Sequence, residues 1–338
     1  MKIYDSNGYV NIKGIRLTGY PFNFLVGARG IGKTYTSLKD AVLEGNKFML
    51  MRRTQEQANL ISNPDMHVFK ALNSDMDWDI MPEKISKYNS AFVRRDNGHN
   101  DIVGYSCALS TISNMRGFDA SDITMLIYDE FIPEPHERPI KHEAEALLNA
   151  YETMNRNREL KGFPPIQFMG LSNSNDIANP YFEYLGLISI ADKMQKTGND
   201  IYRDDKRGIQ IIMLHRSPIS VKKADTALYR LAKGTTFASM ALDNSFNVNK
   251  QYIKPMPLIE FVPRCKIGEL CIYKHKNNNT LYCTTHSSGV FPKVFTTSEL
   301  DIEHFRNMFS VWYDSYISGK IRFEDILSEE LFKKYMYV

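Results

Sequence analysis

Apolar runs and helix-like stretches alternate along the first two hundred residues. Four short runs predict buried strands, at 22–27, 47–51, 123–128 and 166–171. Between them, residues 33–43 and 141–157 predict helices, and the second helix carries apolar side chains near helical spacing. Because strands alternate with helices, this part of the chain predicts an α/β fold around a mostly parallel sheet.

The pattern changes after about residue 200. A basic, mixed segment comes first, and residues 257–288 then predict three short strands separated by turns. Two helices, at about 299–318 and 324–336, are predicted to end the chain. With 338 residues the chain exceeds the usual size of one domain. We therefore expect a first domain over 1–200, a basic linker over 201–245 and a second domain over 246–338.

Composition narrows the class of protein. Hydrophobic residues make up 43% of the chain and charged residues 24%, as in ordinary folded, soluble proteins. No apolar run approaches the roughly 18 residues of a membrane span, and the first residues are too polar for a signal peptide, so we expect a cytoplasmic protein without a membrane partner. The net charge is only +3, but residues 201–276 contain 14 Lys or Arg and 6 Asp or Glu. This segment is a candidate for phosphate contacts, and an exposed solubilising surface is the alternative.

One motif carries the clearest chemistry. The segment over residues 27–34 fits G-x-x-x-x-G-K-[ST] and lies between a predicted strand and a predicted helix, as a phosphate-binding loop requires. Its members are Gly27, Ala28, Arg29, Gly30, Ile31, Gly32, Lys33 and Thr34. In such a loop the glycines let the backbone wrap the phosphates, the lysine reaches the β and γ phosphates, and the hydroxyl ligates Mg²⁺. The motif predicts ATP and Mg²⁺ as ligands.

A second acidic motif follows the first. Asp129 and Glu130 come at the end of the apolar run 125–128. In P-loop ATPases the first acid holds Mg²⁺ and the second polarises the attacking water. Many kinases and GTPases lack the second acid, so the pair favours hydrolysis over transfer of phosphate to another substrate.

Three further residues are candidates with open alternatives. Asn173 follows the strand 166–171, where additional-strand ATPases place a polar sensor of the γ-phosphate, but a capping turn residue is the alternative. Arg156 and Arg158 end the helix after the acid pair. Either is a candidate for a finger that reaches the γ-phosphate of a neighbouring subunit, and the alternative is a cation that complements the helix dipole.

Taken in order, FLVGARGIGKTY, MRR, IYDEFI, MNRNRE and GLSNSNDIANPYF resemble the DNA-packaging ATPases of phi29-like phages. The resemblance implies a P-loop NTPase domain of the additional-strand (ASCE) class, a small linker and a C-terminal RNase H-like α+β domain. It also implies a pentamer that acts in the host cytoplasm, docks transiently on the portal vertex of an empty capsid and translocates double-stranded DNA. Whether a structural RNA is needed there stays open.

The resemblance also assigns residues. It implies Lys33 and Thr34 in the phosphate loop, Asp129 and Glu130 in the acid pair, and Arg156 as the finger acting in trans. For a DNA motor the basic segment becomes the expected DNA contact, and its candidates are Lys222, Lys223 and Arg230.

Three alternatives to a packaging motor depend on chemistry that the sequence leaves open. A terminase that also cuts DNA needs three or four clustered carboxylates, and the acids of the second domain are too sparse for us to assemble such a site. A helicase or replication ATPase of the same fold would separate strands without capsids. An assembly factor switched by nucleotide would lack turnover stimulated by DNA.

Overall fold

The computed structural model describes the chain except residues 28, 97, 116–119, 134–136, 139, 174–175, 216, 236–251 and 337–338. The chain forms two compact units. The first consists of Met1–Tyr184 and Met194–Phe246, and the second consists of Leu185–Lys193 and Asn247–Val338.

A nine-stranded sheet forms the centre of the first unit. Its strands are β1 (Phe22–Gly27), β2 (Phe48–Arg52), β3 (Ile80–Lys84), β4 (Ser90–Asp96), β5 (His99–Ala108), β6 (Met125–Asp129), β7 (Gln167–Ser172), β8 (Ile201–Asp204) and β9 (Ile209–Leu214). Their spatial order is β3-β4-β5-β2-β6-β7-β1-β9-β8. The six neighbouring strands in the middle of this order pair in parallel; they are β5, β2, β6, β7, β1 and β9. The strands outside them, β3, β4 and β8, are antiparallel to their neighbours. The parallel strands β1, β2, β6 and β9 are almost wholly buried, as strands covered on both faces must be.

Helix α1 precedes β1 in the chain, and helices α2 to α9 come between or after the strands. Their bounds are α1 (Ile12–Arg16), α2 (Lys33–Leu43), α3 (Gln55–Ile61), α4 (Lys70–Met76), α5 (Glu143–Asn155), α6 (Pro180–Tyr184), α7 (Ile188–Thr197), α8 (Pro218–Lys223) and α9 (Ala227–Leu231). Short 3₁₀ helices occupy Leu109–Met115 and Glu159–Lys161. Within the part of the chain that is described, no helix is long and apolar enough to cross a membrane.

The second unit has its own sheet and core. Its strands are β10 (Phe261–Ile267), β11 (Leu270–His275), β12 (Leu281–Thr284), β13 (Val294–Phe295) and β14 (Ile321–Phe323), in the order β13-β10-β11-β12-β14. Strands β10 to β12 are antiparallel, and the two outer strands pair in parallel with their neighbours. A 3₁₀ turn (Leu258–Glu260) precedes β10, and the helices are α10 (Glu299–Met308), α11 (Val311–Ile317) and α12 (Ile326–Met336). Apolar side chains of these strands and helices form a main core, and a smaller apolar cluster consists of Phe261, Cys271, Tyr273 and Tyr282.

The sequence predicted most of the buried elements. The strand at 22–27 and the helix at 33–43 have the predicted bounds, and the other three predicted strands of the first unit are shifted by one or two residues. The mixed α/β fold with a parallel sheet is confirmed. The single helix predicted at 299–318 is wrong, because two helices form there with a break at Phe309 and Ser310.

The predicted start of the linker is also wrong. Residues 201–214 form β8 and β9, and β9 pairs along the whole length of β1. The physical reason is the run IQIIML at 209–214, whose six residues are all buried. The charged residues around this run gave the segment its basic composition and obscured a core strand. The last part of the predicted linker, 236–245, lies outside the described residues.

Candidate nucleotide-binding site

The phosphate loop connects β1 to α2. Gly30 and Gly32 have φ angles of 69° and 82°, a left-handed conformation that side chains with a Cβ rarely adopt. Gly32 is the N-cap of α2 and no side chain caps the helix there. The first backbone N–H groups of α2 are therefore arranged as donors for an anion, in the direction that the helix dipole also favours. Ala28 lies outside the described residues.

Lys33 is the first residue of α2 and only 4% of its surface is exposed. Its Nζ donates a hydrogen bond to the carbonyl oxygen of Gly27 at 2.9 Å, which holds the side chain against the loop. Burial lowers the pKa of Lys33 to about 7, and the nearby carboxylate of Asp129 opposes that shift. Because a polyphosphate would stabilise the protonated form, this ammonium is placed for an anionic ligand.

The acid pair closes the site at the end of β6. The hydroxyl of Thr34 donates to Oδ2 of Asp129 at 2.9 Å, joining two motifs that lie 95 residues apart. Arg52, at the end of the neighbouring strand β2, donates to the same oxygen of Asp129 at 2.7 Å and to Oε2 of Glu130 at 2.5 Å. Burial raises the pKa of Asp129, although Arg52 acts in the opposite direction. The carboxyl ends of adjacent parallel strands thus bring one cation and two acids together.

Glu130 has an unusual backbone. Its φ is 56°, in the left-handed region that costs a non-glycine residue about 1–3 kcal/mol. Its side chain is 43% exposed, whereas Asp129 beside it is buried. Nδ2 of Asn173, at the end of β7, donates to Oε1 of Glu130 at 3.3 Å. Asn173 therefore contacts Glu130, and its role as a sensor of the γ-phosphate stays a prediction.

Arg52 is the last residue of β2 and the first arginine of the pair Arg52 and Arg53. A double arginine after a strand is compatible with contacts to nucleotide, to a neighbouring subunit or to DNA. The sequence alone does not decide which of these contacts Arg52 makes. In the structure Arg52 bridges both acids, and its buried Nε has no hydrogen-bond partner. A buried donor without an acceptor is costly, and a phosphate oxygen is an acceptor that would satisfy it.

The next arginine faces a different environment. Arg53 is 1% exposed and makes a two-pronged ion pair with Glu143, through Nε at 2.6 Å and Nη2 at 3.0 Å. The hydroxyl of Tyr181 also donates to Glu143, at 2.7 Å, and lies 2.7 Å from the hydroxyl of Tyr128. This buried network ties the end of β2 to the start of α5.

The two finger candidates at the end of α5 lie in different surroundings. Arg158 donates, within the chain, to the carbonyl oxygens of Ser121 at 3.0 Å and Pro164 at 3.2 Å. Arg156 is exposed, has a φ of 44° and donates to the carbonyl oxygen of Thr153 at 3.2 Å. An exposed arginine on an unfavourable backbone conformation suggests a functional constraint at this position.

The three predicted DNA contacts do not share one environment. Lys222 and Arg230 are exposed, and Arg230 donates to the carbonyl oxygen of Asp225 at 3.0 Å. Lys223 is instead half-buried and lies at the phosphate loop, where its Nζ donates to the carbonyl oxygen of Arg29 at 2.7 Å. The sequence predicts the same role for Lys222 and Lys223, and no sequence pattern distinguishes the two residues.

The residues present fit a nucleotide-bound Mg²⁺ ion. Thr34 and Asp129 offer two hard oxygen ligands at the loop, and Mg²⁺ typically takes one or two protein oxygens together with phosphates and water. Among the residues described, no cluster of three His, Cys, Asp or Glu side chains forms a separate metal site.

Comparison with known proteins gives concordant matches. A family model described as Podovirus DNA encapsidation protein (Gp16) matches residues 5–325. The DNA packaging protein of Bacillus phage B103 is 27% identical over 334 residues, covering 92% of this chain and 96% of that protein. The DNA packaging protein of Bacillus phage phi29 is 23% identical over 334 residues, with 92% and 93% covered. The fold is similar to a chain of the bacteriophage phi29 viral genome packaging motor assembly, with a TM-score of 0.68, 22% identity, and coverage of 97% and 99%.

Proposed function

The chain belongs to the podovirus DNA encapsidation protein (Gp16) family, and from this premise we propose that it is an ATP-hydrolysing motor that moves double-stranded DNA into an empty capsid. The relatives named DNA packaging proteins support the process. The contact between Thr34 and Asp129 at 2.9 Å is the observation that carries the ATPase assignment. It joins a phosphate loop to a strand-end acid pair, as nucleotide hydrolysis requires.

Each residue of the site has a proposed role. Lys33 neutralises phosphate charge, while Thr34 and Asp129 would hold Mg²⁺, which would supply further positive charge. Glu130 accepts a hydrogen bond from the attacking water and polarises it. Asn173 orients Glu130 through the hydrogen bond between their side chains.

The strand order supports the additional-strand class. Strand β7, which Asn173 directly follows, lies between β1 with the phosphate loop and β6 with the acids. A polar residue at the end of this inserted strand is placed beside both motifs. We also assign the second unit to the RNase H-like class, on the basis of three consecutive antiparallel strands with a parallel strand beside the first.

The proposed assembly is a ring of five subunits on the portal vertex, formed in the host cytoplasm, with Arg156 completing the site of the neighbouring subunit. The exposure of Arg156 and the internal contacts of Arg158 support this choice of finger. Positive charge from a neighbour would stabilise the charge that develops on the phosphate during transfer. Lys222 and Arg230 are the proposed DNA contacts, since both are exposed.

Two substitutions separate nucleotide binding from chemistry. Lys33→Ala removes the charge partner of the phosphates, so we expect loss of both nucleotide binding and hydrolysis. Glu130→Gln keeps the size of the side chain and removes only its basicity, so we expect ATP to bind while hydrolysis falls by about a hundredfold or more. Equilibrium binding of a fluorescent ATP analogue and release of phosphate in the presence of DNA measure the two effects.

Glu137→Gln is a matched control, because Glu137 pairs with Arg53 rather than with the acid pair. That variant should hydrolyse ATP at close to the wild-type rate. Wild-type hydrolysis by Glu130→Gln would remove Glu130 from the reaction, and a wild-type chain that neither binds nor hydrolyses ATP would overturn the ATPase assignment itself.

A further inference from the structure

A second lysine reaches the phosphate loop from α8, the helix that follows β9 in the chain. Nζ of Lys223, the last residue of α8, lies 2.7 Å from the carbonyl oxygen of Arg29. It lies so close to Gly30 that a Cβ built on that glycine would be 2.0 Å from Nζ. The ammonium therefore lies directly against the middle of the loop.

Contacts with the N-terminal segment hold the start of α8. Ser217, buried just before the helix, donates from its hydroxyl to the carbonyl oxygen of Gly8 at 2.9 Å. A Cβ on Gly8 would lie 2.9 Å from Cβ of Pro218, so the two backbones approach closely there. The N-terminal segment in turn reaches the loop, where the N–H of Val10 donates to the carbonyl oxygen of Ile31 at 3.1 Å. Lys223 thus extends from an anchored helix.

The charges at the loop are arranged for an anion. Arg29, Lys33 and Lys223 bring three cations to one short stretch of backbone, and both Lys223 and Arg29 contribute to lowering the pKa of Lys33, after the larger effect of burial. Partial burial lowers the pKa of Lys223 as well. Three cations at close range repel one another, and a polyphosphate bound at the loop would turn that repulsion into attraction.

We propose that Lys223 is a second phosphate-binding lysine of the nucleotide site, contributed by the segment after the last parallel strand, and not a DNA contact. This inference rests on the proposed ATPase function. Lys222 and Lys223 are adjacent on α8 and so point about 100° apart, which allows one to be exposed and the other to face the loop. Adjacent residues with separate ligands make a matched pair for an experiment.

The experiment uses the full chain and compares Lys223→Ala, Lys223→Arg and Lys222→Ala. Affinity for a fluorescent ATP analogue is measured at equilibrium, and affinity for a short DNA duplex is measured over a range of salt. We expect Lys223→Ala to weaken nucleotide binding about tenfold, with Lys223→Arg restoring most of it. We expect Lys222→Ala to bind nucleotide normally and to reduce the slope of DNA affinity against salt by about one counterion.

Several results would overturn the inference. Wild-type nucleotide affinity in Lys223→Ala together with a shallower DNA slope would make Lys223 a DNA contact. Wild-type nucleotide affinity with a lower melting temperature in the absence of ligand would make it a structural support of the loop. The Lys33→Ala variant distinguishes failure of the inference about Lys223 from failure of the proposed ATPase function. If Lys33→Ala abolishes nucleotide binding and Lys223→Ala does not, only the present inference fails, whereas a wild-type chain that binds no nucleotide removes both.

Discussion

The charge state of Lys33 depends on whether a polyphosphate is bound at the phosphate loop. Burial disfavours its ammonium, and this effect exceeds the opposing attraction of Asp129, so its pKa falls to about 7. A neutral lysine offers phosphate a weaker interaction than an ammonium does. Because a bound polyphosphate favours the charged form, nucleotide binding and proton uptake by Lys33 should be linked.

The sign of this linkage gives a prediction. Well below pH 7 Lys33 is already protonated, whereas above pH 7 binding requires the uptake of a proton from solvent, so affinity for MgATP should fall between pH 7 and pH 9. The fall should approach about tenfold per pH unit. Calorimetric titrations at pH 8 in two buffers of different ionisation enthalpy should show uptake of close to one proton. Lys222→Ala, which alters an exposed lysine, should have the same profile, and equal affinity at pH 7 and pH 9 would contradict the linkage.

Residues differ in how much the sequence reveals about them. Lys33, Thr34, Asp129 and Glu130 belong to motifs whose spacing reflects a fixed backbone geometry, so the sequence predicted that they meet. The position of Arg52 at the acid pair depends on β2 lying beside β6, which is a matter of strand order rather than of local pattern. Contacts that depend on the packing of distant elements leave no local signal.

At the scale of elements, α5 connects two parts of the proposed mechanism. Its first residue, Glu143, is buried against Arg53 next to the acid pair, and the residue that caps its end is Arg156. A helix of 13 residues is about 20 Å long, and its backbone hydrogen bonds make it stiff over that distance. The ion pair at its start therefore helps to position the arginine at its end.

Removal of Glu143 tests how much the buried ion pair with Arg53 stabilises the first unit. Glu143→Ala leaves the guanidinium of Arg53 buried without its principal partner, so we expect the first unit to lose about 3–5 kcal/mol of stability. Urea denaturation followed by a signal from the first unit measures the loss. Glu145→Ala, two residues along the same helix and exposed, should change stability by less than about 1 kcal/mol. Equal effects of the two substitutions would show that the buried pair has no special role.

Strands β8 and β9 show why one boundary was missed. The run at 209–214 satisfies the pattern of a buried strand, but its flanks are rich in Lys and Arg. Charge at the ends of a strand is compatible with a buried centre, because only the centre pairs with β1. The basic composition of residues 201–245 as a whole therefore predicts a linker, although the apolar run at 209–214 by itself has the pattern of a buried strand.

At the scale of the whole molecule, the chain combines a first unit that carries the complete set of motifs with a second unit that has a separate core. The residues of the proposed nucleotide-binding site all lie in the first unit. One contribution is expected from outside the chain, since Arg156 is assigned to the site of a neighbouring subunit. The central claim is accordingly that the active form is a ring in which each site is built from two subunits.

Mixing two inactive variants tests that claim most directly. Lys33→Ala subunits lack a working site but still carry Arg156, whereas Arg156→Ala subunits keep Lys33 and Glu130 but lack the finger. In a mixed ring an Arg156→Ala subunit beside a Lys33→Ala subunit has a complete site, so part of the DNA-stimulated ATPase activity should return. The gain should be large, because such fingers contribute about 10³ to 10⁵ in rate. Inactivity at every mixing ratio, in rings shown to contain both variants, would contradict a site shared between subunits.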